Sequence, residues 1–152
     1  MLMVLFHLGN SRYAIPVRDV VEVTPRVELE VIARTPDYVA GLFNYRGRHV
    51  PVIDLCRALQ HRACADSYTS RIILVTFPLT NGDSRVLGLL AERVTETVSV
   101  DADVFAETGL NMSAAPYLGR AAHTEQGLLQ QVNVADLLPE NVKTQLFPAE
   151  AG

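Results

Sequence analysis

The chain is expected to be all-β with short helices, arranged as two similar small units within one domain. Three observations predict this. Strand-length apolar runs rich in Val, Ile and Leu recur along the 152 residues, separated by Gly, Asn and Pro turn signals, the pattern of barrels and sandwiches. About nine or ten such strands can be placed, with no helical period long enough for a bundle. The third observation is a local signature that occurs twice. Val50-Pro51-Val52-Ile53-Asp54-Leu55 closes one half, and Gln131-Val132-Asn133-Val134-Ala135-Asp136-Leu137-Leu138 closes the other. Each is a strand running into Asp-Leu and a short helix.

Taken in order, the elements are these. Met1 to Leu8 has strand composition, Gly9-Asn10-Ser11 is a turn, and Arg12 to Ile15 returns as the second arm of a hairpin. Pro16 suits the first position of a helix, and Val17, Val20 and Val21 recur at helical spacing, so a short helix is expected over residues 16–23. Residues 27–32 alternate as a strand. Residues 39–45 and 48–53 form a pair of strands across Arg46-Gly47, and Asp54 caps a brief helix over 55–59. Residues 60–68 read as a linker. In the second half, residues 71–77 and 86–91 pair across the Asn81-Gly82 turn, 94–100 is a further strand, and 116–122 pairs with 128–134. A terminal helix is expected over 139–147, with Pro139 in its first turn and Glu140 near the positive end of the helix dipole. The first unit is expected mainly over 12–60 and the second mainly over 70–134, with the chain ends completing both.

Composition narrows the function classes. Hydrophobic residues at 49% and charged residues at 20% exclude a disordered chain. A formal net charge of −4 does not favour nucleic acid, whose binders usually carry a basic face. No apolar run approaches the ~20 residues that span a bilayer, and the apolar start lacks the basic segment of a signal peptide.

Few residues carry a chemical motif. Cys56, His61 and Cys64 are the clearest candidate metal ligands, but a fourth ligand and the tight Cys-Cys spacing of zinc sites are missing. They are expected not to converge on a metal centre. A Cys56–Cys64 disulfide is possible but unusual in a reducing compartment. The four histidines are scattered, and there is no nucleophile elbow, phosphate loop or dinucleotide fingerprint. No catalytic residue, cofactor or metal is expected. Two function classes remain: a partner-binding adaptor, and a small ligand-binding or enzymatic β-barrel.

The densest segment is Val39-Ala40-Gly41-Leu42-Phe43-Asn44-Tyr45-Arg46-Gly47-Arg48-His49-Val50-Pro51-Val52-Ile53-Asp54-Leu55. Gly41 inside a strand points to a bulge or a close backbone approach. Gly47 suits a positive φ, and Asn44 can satisfy backbone groups at the turn. The segment reads equally as a barrel-closing hairpin or as a protein-binding edge with a held arginine, a residue type enriched at hot spots.

It resembles the hallmark of CheW-type coupling proteins, close to V-x-G-x-x-N-x-R-G-x-x-x-P-V-x-D-L, matched here by Val39, Gly41, Asn44, Arg46, Gly47, Pro51, Val52, Asp54 and Leu55. Phe6-His7-Leu8-Gly9 with Tyr13-Ala14-Ile15-Pro16-Val17, Gly88-Leu89-Leu90, and Tyr117-Leu118-Gly119 extend the resemblance over the whole chain. It implies two intertwined SH3-like five-stranded β-barrel subdomains and no catalytic activity. It also implies two partners, the cytoplasmic tip of a methyl-accepting chemoreceptor and the regulatory domain of a CheA-type histidine kinase. The chain would then be cytoplasmic and recruited to membrane receptor arrays, without inserting in the bilayer. Carried over by position, Val20, Glu22, Gly41, Asn44, Arg46, Ile72 and Thr97 lie at or near partner contacts. Thr97 stands where an apolar residue is more usual. The resemblance also brings Glu22 and Arg46 together, so a salt bridge partly shielded from water is expected between them.

Overall fold

The computed structural model describes residues 1–65, 69–101, 105–107 and 120–148. Among these are ten strands and two α-helices: β1 (Leu2–Leu8), β2 (Ser11–Pro16), β3 (Val20–Pro25), β4 (Val39–Tyr45), β5 (Arg48–Asp54), α1 (Leu55–Gln60), β6 (Arg71–Pro78), β7 (Ser84–Ser99), β8 (Ala106–Glu107), β9 (Arg120–Thr124), β10 (Gly127–Gln131) and α2 (Glu140–Leu146). The expected linker over 60–68 lies partly outside the described residues, as do the expected strand start at 116–119 and Tyr117-Leu118-Gly119. The fold is all-β with short helices.

The strands fall into two sheets that share β7. Its first half pairs antiparallel with β6 and parallel with β5, and β6 and β5 continue to β3 and β4. Its second half pairs with β1, and that sheet continues through β2, β10 and β9 to β8. The sequence separates residues 86–91 from 94–100, but the backbone runs through both as one strand. A bulge marks the passage between sheets. Register slips between Leu5 and His7, and Arg93 takes a positive φ of 46°, the local kink of an extra residue in a ladder.

This pairing redraws the expected units. β6, paired with the first half of β7, lies in the sheet of β3, β4 and β5, apart from β8, β9 and β10, and β2 joins the sheet of β9 and β10. The twin signatures do correspond in space. β5 ends in a parallel pairing with β7, and β10 ends in a parallel pairing with β2. After each, a capped helical turn follows: Asp54 accepts from the Arg57 N–H, and Asn133 accepts from the Ala135 N–H at the 3-10 turn Val134–Asp136.

Residues 16–23 are not a helix. Only Val17–Asp19 turns, as a single 3-10 turn, and Val20–Pro25 continues as β3 against β6. A valine-rich segment loses rotamer freedom in a helix and fits a pleated sheet. Glu22 therefore projects from a strand. The expected strand over 27–32 shrinks to one bridge between Glu30 and Leu42.

β1 is buried on both faces because each packs a different core. Val4, Phe6 and Leu8 enter the main core with β5, β6, β7 and Val142 of α2. Met3 and Leu5, on the opposite face, enter a smaller one with Ala14, Phe105, Ala122 and Leu129. Phe147 stacks on Phe77 at 5.7 Å, and Lys143 lies over the same ring, so the end of α2 closes the main core. No helix among the described residues is long and apolar enough to cross a membrane.

Candidate partner-binding site

β4 and β5 meet at a two-residue turn in which Arg46 and Gly47 both take positive φ, 52° and 84°. Such a turn matches the right-handed twist of the flanking strands. Asn44 fixes it, its Oδ1 accepting from the Gly47 N–H at 2.9 Å. Further down β4, register slips between Val39 and Gly41. A Cβ on Gly41 would stand 2.4 Å from the Glu30 carbonyl oxygen, at a φ of 145°. The glycine lets the 26–37 segment bridge onto β4 at that point.

The turn presents Arg46 toward β3. Its Nη2 lies 3.5 Å from Glu22 Oε2, so the expected pair is present, but the side chains are 77% and 42% exposed. The partial shielding expected of the pair is found at Glu22, which is half-buried, while Arg46 is open to solvent. Arg46 stands on a tight turn beyond the ends of both strands, where none of the described elements covers it. An ion pair this open is worth ~0–1 kcal/mol. The firmer tie is Tyr45, whose hydroxyl donates to Glu22 Oε2. That bond, followed by partial burial, raises the phenol pKa above its ordinary value. Arg46 also lies over the Tyr45 ring at 5.3 Å. Tyr45 carries the link between strand and hairpin; it is not itself a motif position, although it sits between two, Asn44 and Arg46.

The other candidate residues separate. Val20 is half-buried on β3, whose outer face exposes Val21 and Val23. Ile72 has 0% exposure. It lies on β6, which is paired on both sides, by β3 and β7, and its side chain packs within the main core. It cannot touch a partner directly, so its place as a contact residue is corrected. Thr97 is exposed, but on the second half of β7, in the other sheet beside Val4. A groove of about 880 Å³ opens beside the hairpin, with Arg46, Arg48 and Arg85 on its walls and Val50, Val86 and Phe147 supplying apolar surface. Its surface is cationic and part-apolar.

A second arrangement had no sequence signal. Glu92 sits at the bulge of β7 and is only 8% exposed. Its carboxylate accepts from Arg62 Nη1 and Nη2 at 3.1 and 2.9 Å, from the Gly9 N–H at 3.0 Å, and from the Ala65 N–H at 2.6 Å. The Arg62 guanidinium, opposing desolvation, holds the Glu92 pKa down at about 2. This clamp ties the β1–β2 turn, the segment after α1 and the crossover of β7 together.

His61 ends α1 in a left-handed conformation and does not join the cysteines. Among the described residues the group that converges is Asp54, Cys56 and Cys64, all buried, with ligand atoms within 4.8 Å of one another.

Comparison with known proteins follows the same lines. The CheW-like domain family matches residues 2–142. The chemotaxis protein CheW of Klebsiella aerogenes is 34% identical over 65% of this chain and 57% of its own length. That of Helicobacter pylori is 28% identical over 68% of this chain and 61% of its own. The chain thus spans under two thirds of these curated relatives. The crystal structure of the scaffolding protein TtCheW from Thermoanaerobacter tengcongensis superposes with a TM-score of 0.79 at 27% identity, covering 93% of this chain and 90% of that one. With the family model matched over nearly its whole length and the fold shared, the chain belongs to the CheW-like domain family.

Proposed function

We propose that the chain is a non-catalytic adaptor that couples a methyl-accepting chemoreceptor to a CheA-type histidine kinase in a chemosensory array, held in the cytoplasm at the membrane by its receptor. The observation that carries this reading is the family match over residues 2–142 together with the shared fold of a scaffolding protein. An adaptor needs separate surfaces for its partners rather than converging chemistry. The outer face of β3, with Val21 and Val23, and the cationic groove beside Arg46 are two such surfaces. Val20, Glu22, Asn44 and Arg46 belong to the receptor side in this reading, and Thr97 extends it to the second sheet. Gly41 acts from within, by holding the shape of the hairpin.

Co-sedimentation with a receptor tip and a kinase regulatory domain tests the reading. Arg46→Ala and Val20→Asp are expected to weaken receptor capture by roughly tenfold or more, the scale of a hot-spot loss, with unchanged capture of the kinase domain. Normal capture of receptor by both variants, at unchanged Tm, refutes the site. Capture of neither partner by the wild-type chain refutes the function.

A further inference from the structure

We propose that Cys56 and Cys64 form a dithiol–disulfide couple, a buried modification site that staples the segment after α1 to the start of that helix. The inference is independent of the adaptor reading. The Sγ atoms lie 2.6 Å apart in the main core, inside the roughly 3.5–4.0 Å of ordinary non-bonded contact between carbon atoms. Two thiolates sharing a tetrahedral zinc would stand ~3.8 Å apart, given Zn–S bonds of about 2.3 Å. The placement therefore fits a covalent S–S bond better than a shared metal. Asp54 is also occupied: its Oδ1 accepts from the Arg57 N–H and its Oδ2 from the Cys64 N–H.

The surroundings decide how the couple reacts. Cys56 is fully enclosed and Cys64 is 5% exposed. The Cys64 thiol also approaches the Leu90 carbonyl at 3.5 Å. Contact with Cys56 and burial push the Cys64 thiol pKa up, so thiolate is scarce while the segment is seated. It is seated by the Asp54–Cys64 bond, by the clamp in which Glu92 holds Arg62 and the Ala65 N–H, and by the Ser70 hydroxyl and Arg26 guanidinium, which donate to the Ala65 carbonyl. A cleft of about 660 Å³ borders Asp54, Ala63 and Leu90, which gives a small oxidant an approach to Cys64 when the segment lifts.

With hydrogen peroxide as oxidant, the Cys64 sulfur attacks one peroxide oxygen. The O–O bond breaks, leaving a sulfenic acid on Cys64 and releasing one water. The Cys56 sulfur then attacks the Cys64 sulfur and expels hydroxide, which leaves as a second water with the Cys56 proton. Two thiols have lost two electrons and two protons, and the peroxide has become two waters.

The test treats the full chain with hydrogen peroxide, then alkylates it under denaturing conditions. The expected product has lost two hydrogen masses, takes up no alkyl group, and yields a linked Cys56–Cys64 peptide on digestion without reductant. Relative to the thiol-reduced chain its Tm should rise by roughly 5–10 °C, the size expected for closing so short a loop in a chain of this length. Cys64→Ala and Cys56→Ala should each abolish the mass loss and the Tm shift. Glu92→Gln, which loosens the clamp without touching sulfur, should speed the oxidation. Two alkylatable thiols after oxidation, zinc-dependent protection of both with no mass loss, or links only between separate chains would each overturn the couple. A Tm that stays put or falls on oxidation would overturn its role as a staple.

Discussion

Replacing Glu92 by Gln tests the physical account of how the two sheets are held together. The substitution keeps size and one acceptor oxygen but removes the charge and turns an amide donor toward Arg62. Two lines of reasoning give its cost. Folding lowers the Glu92 pKa from its ordinary 4.5 to about 2, a preference for the ionised folded form of about 3 kcal/mol. Removing one partner of a buried, hydrogen-bonded ion pair costs ~3–5 kcal/mol. Arg62 is 41% exposed, and solvent can re-solvate it once freed, so a cost at or just below the lower end of that range, about 2–3 kcal/mol, is expected. Because the folded pKa is depressed, the stabilisation is complete above the unfolded value near 4.5 and is lost as pH falls through about 2. Urea unfolding of wild type and Glu92→Gln at a series of pH values reads this directly. The gap between them should be full at pH 7 and shrink below pH ~4.5. A gap under ~1 kcal/mol at pH 7, or one that stays constant down to pH ~2, refutes the reasoning.

Two further predictions rest on burial and backbone. Ile72→Asp places a charge at a core position with 0% exposure and should cost ~4 kcal/mol or more, so thermal melting should show an unfolded or severely destabilised chain rather than a folded one with weakened binding. Gly41→Ala should cost at least ~2 kcal/mol in chemical denaturation, because its Cβ would meet the Glu30 carbonyl at a φ that disfavours L side chains; a stability change within ~0.5 kcal/mol would mean that the 26–37 segment shifts freely.

Local chemistry determined much of this molecule. The Arg46-Gly47 turn, the Asn44 side chain that fixes it and the cap at Asp54 follow from residues within a few positions of one another. Each was legible because turn and cap preferences act at short range. The Glu22–Arg46 pairing was legible only through the family resemblance, and its exposure was not, because solvent access depends on what covers the turn. The strand at residues 20–25 was missed for a physical reason. Valine at helical spacing also alternates, and β6 lying alongside settled it as a sheet partner. Nothing local announces that β7 runs unbroken through two sheets, that β5 and β10 each close a parallel pairing with a distant strand, or that β6 joins the earlier strands. Nor could residues 9, 62, 65 and 92 be linked from sequence, since a carboxylate's partners are chosen by which backbone and guanidinium groups the crossover brings within 3 Å or so. Spacing alone makes Cys56 and Cys64 part of an incomplete ligand set, one half-buried and one in a loop, with a disulfide possible but not specified. The turn of α1 and its left-handed end at His61 fold the chain back and bring the two sulfurs together, a juxtaposition only the tertiary structure could create.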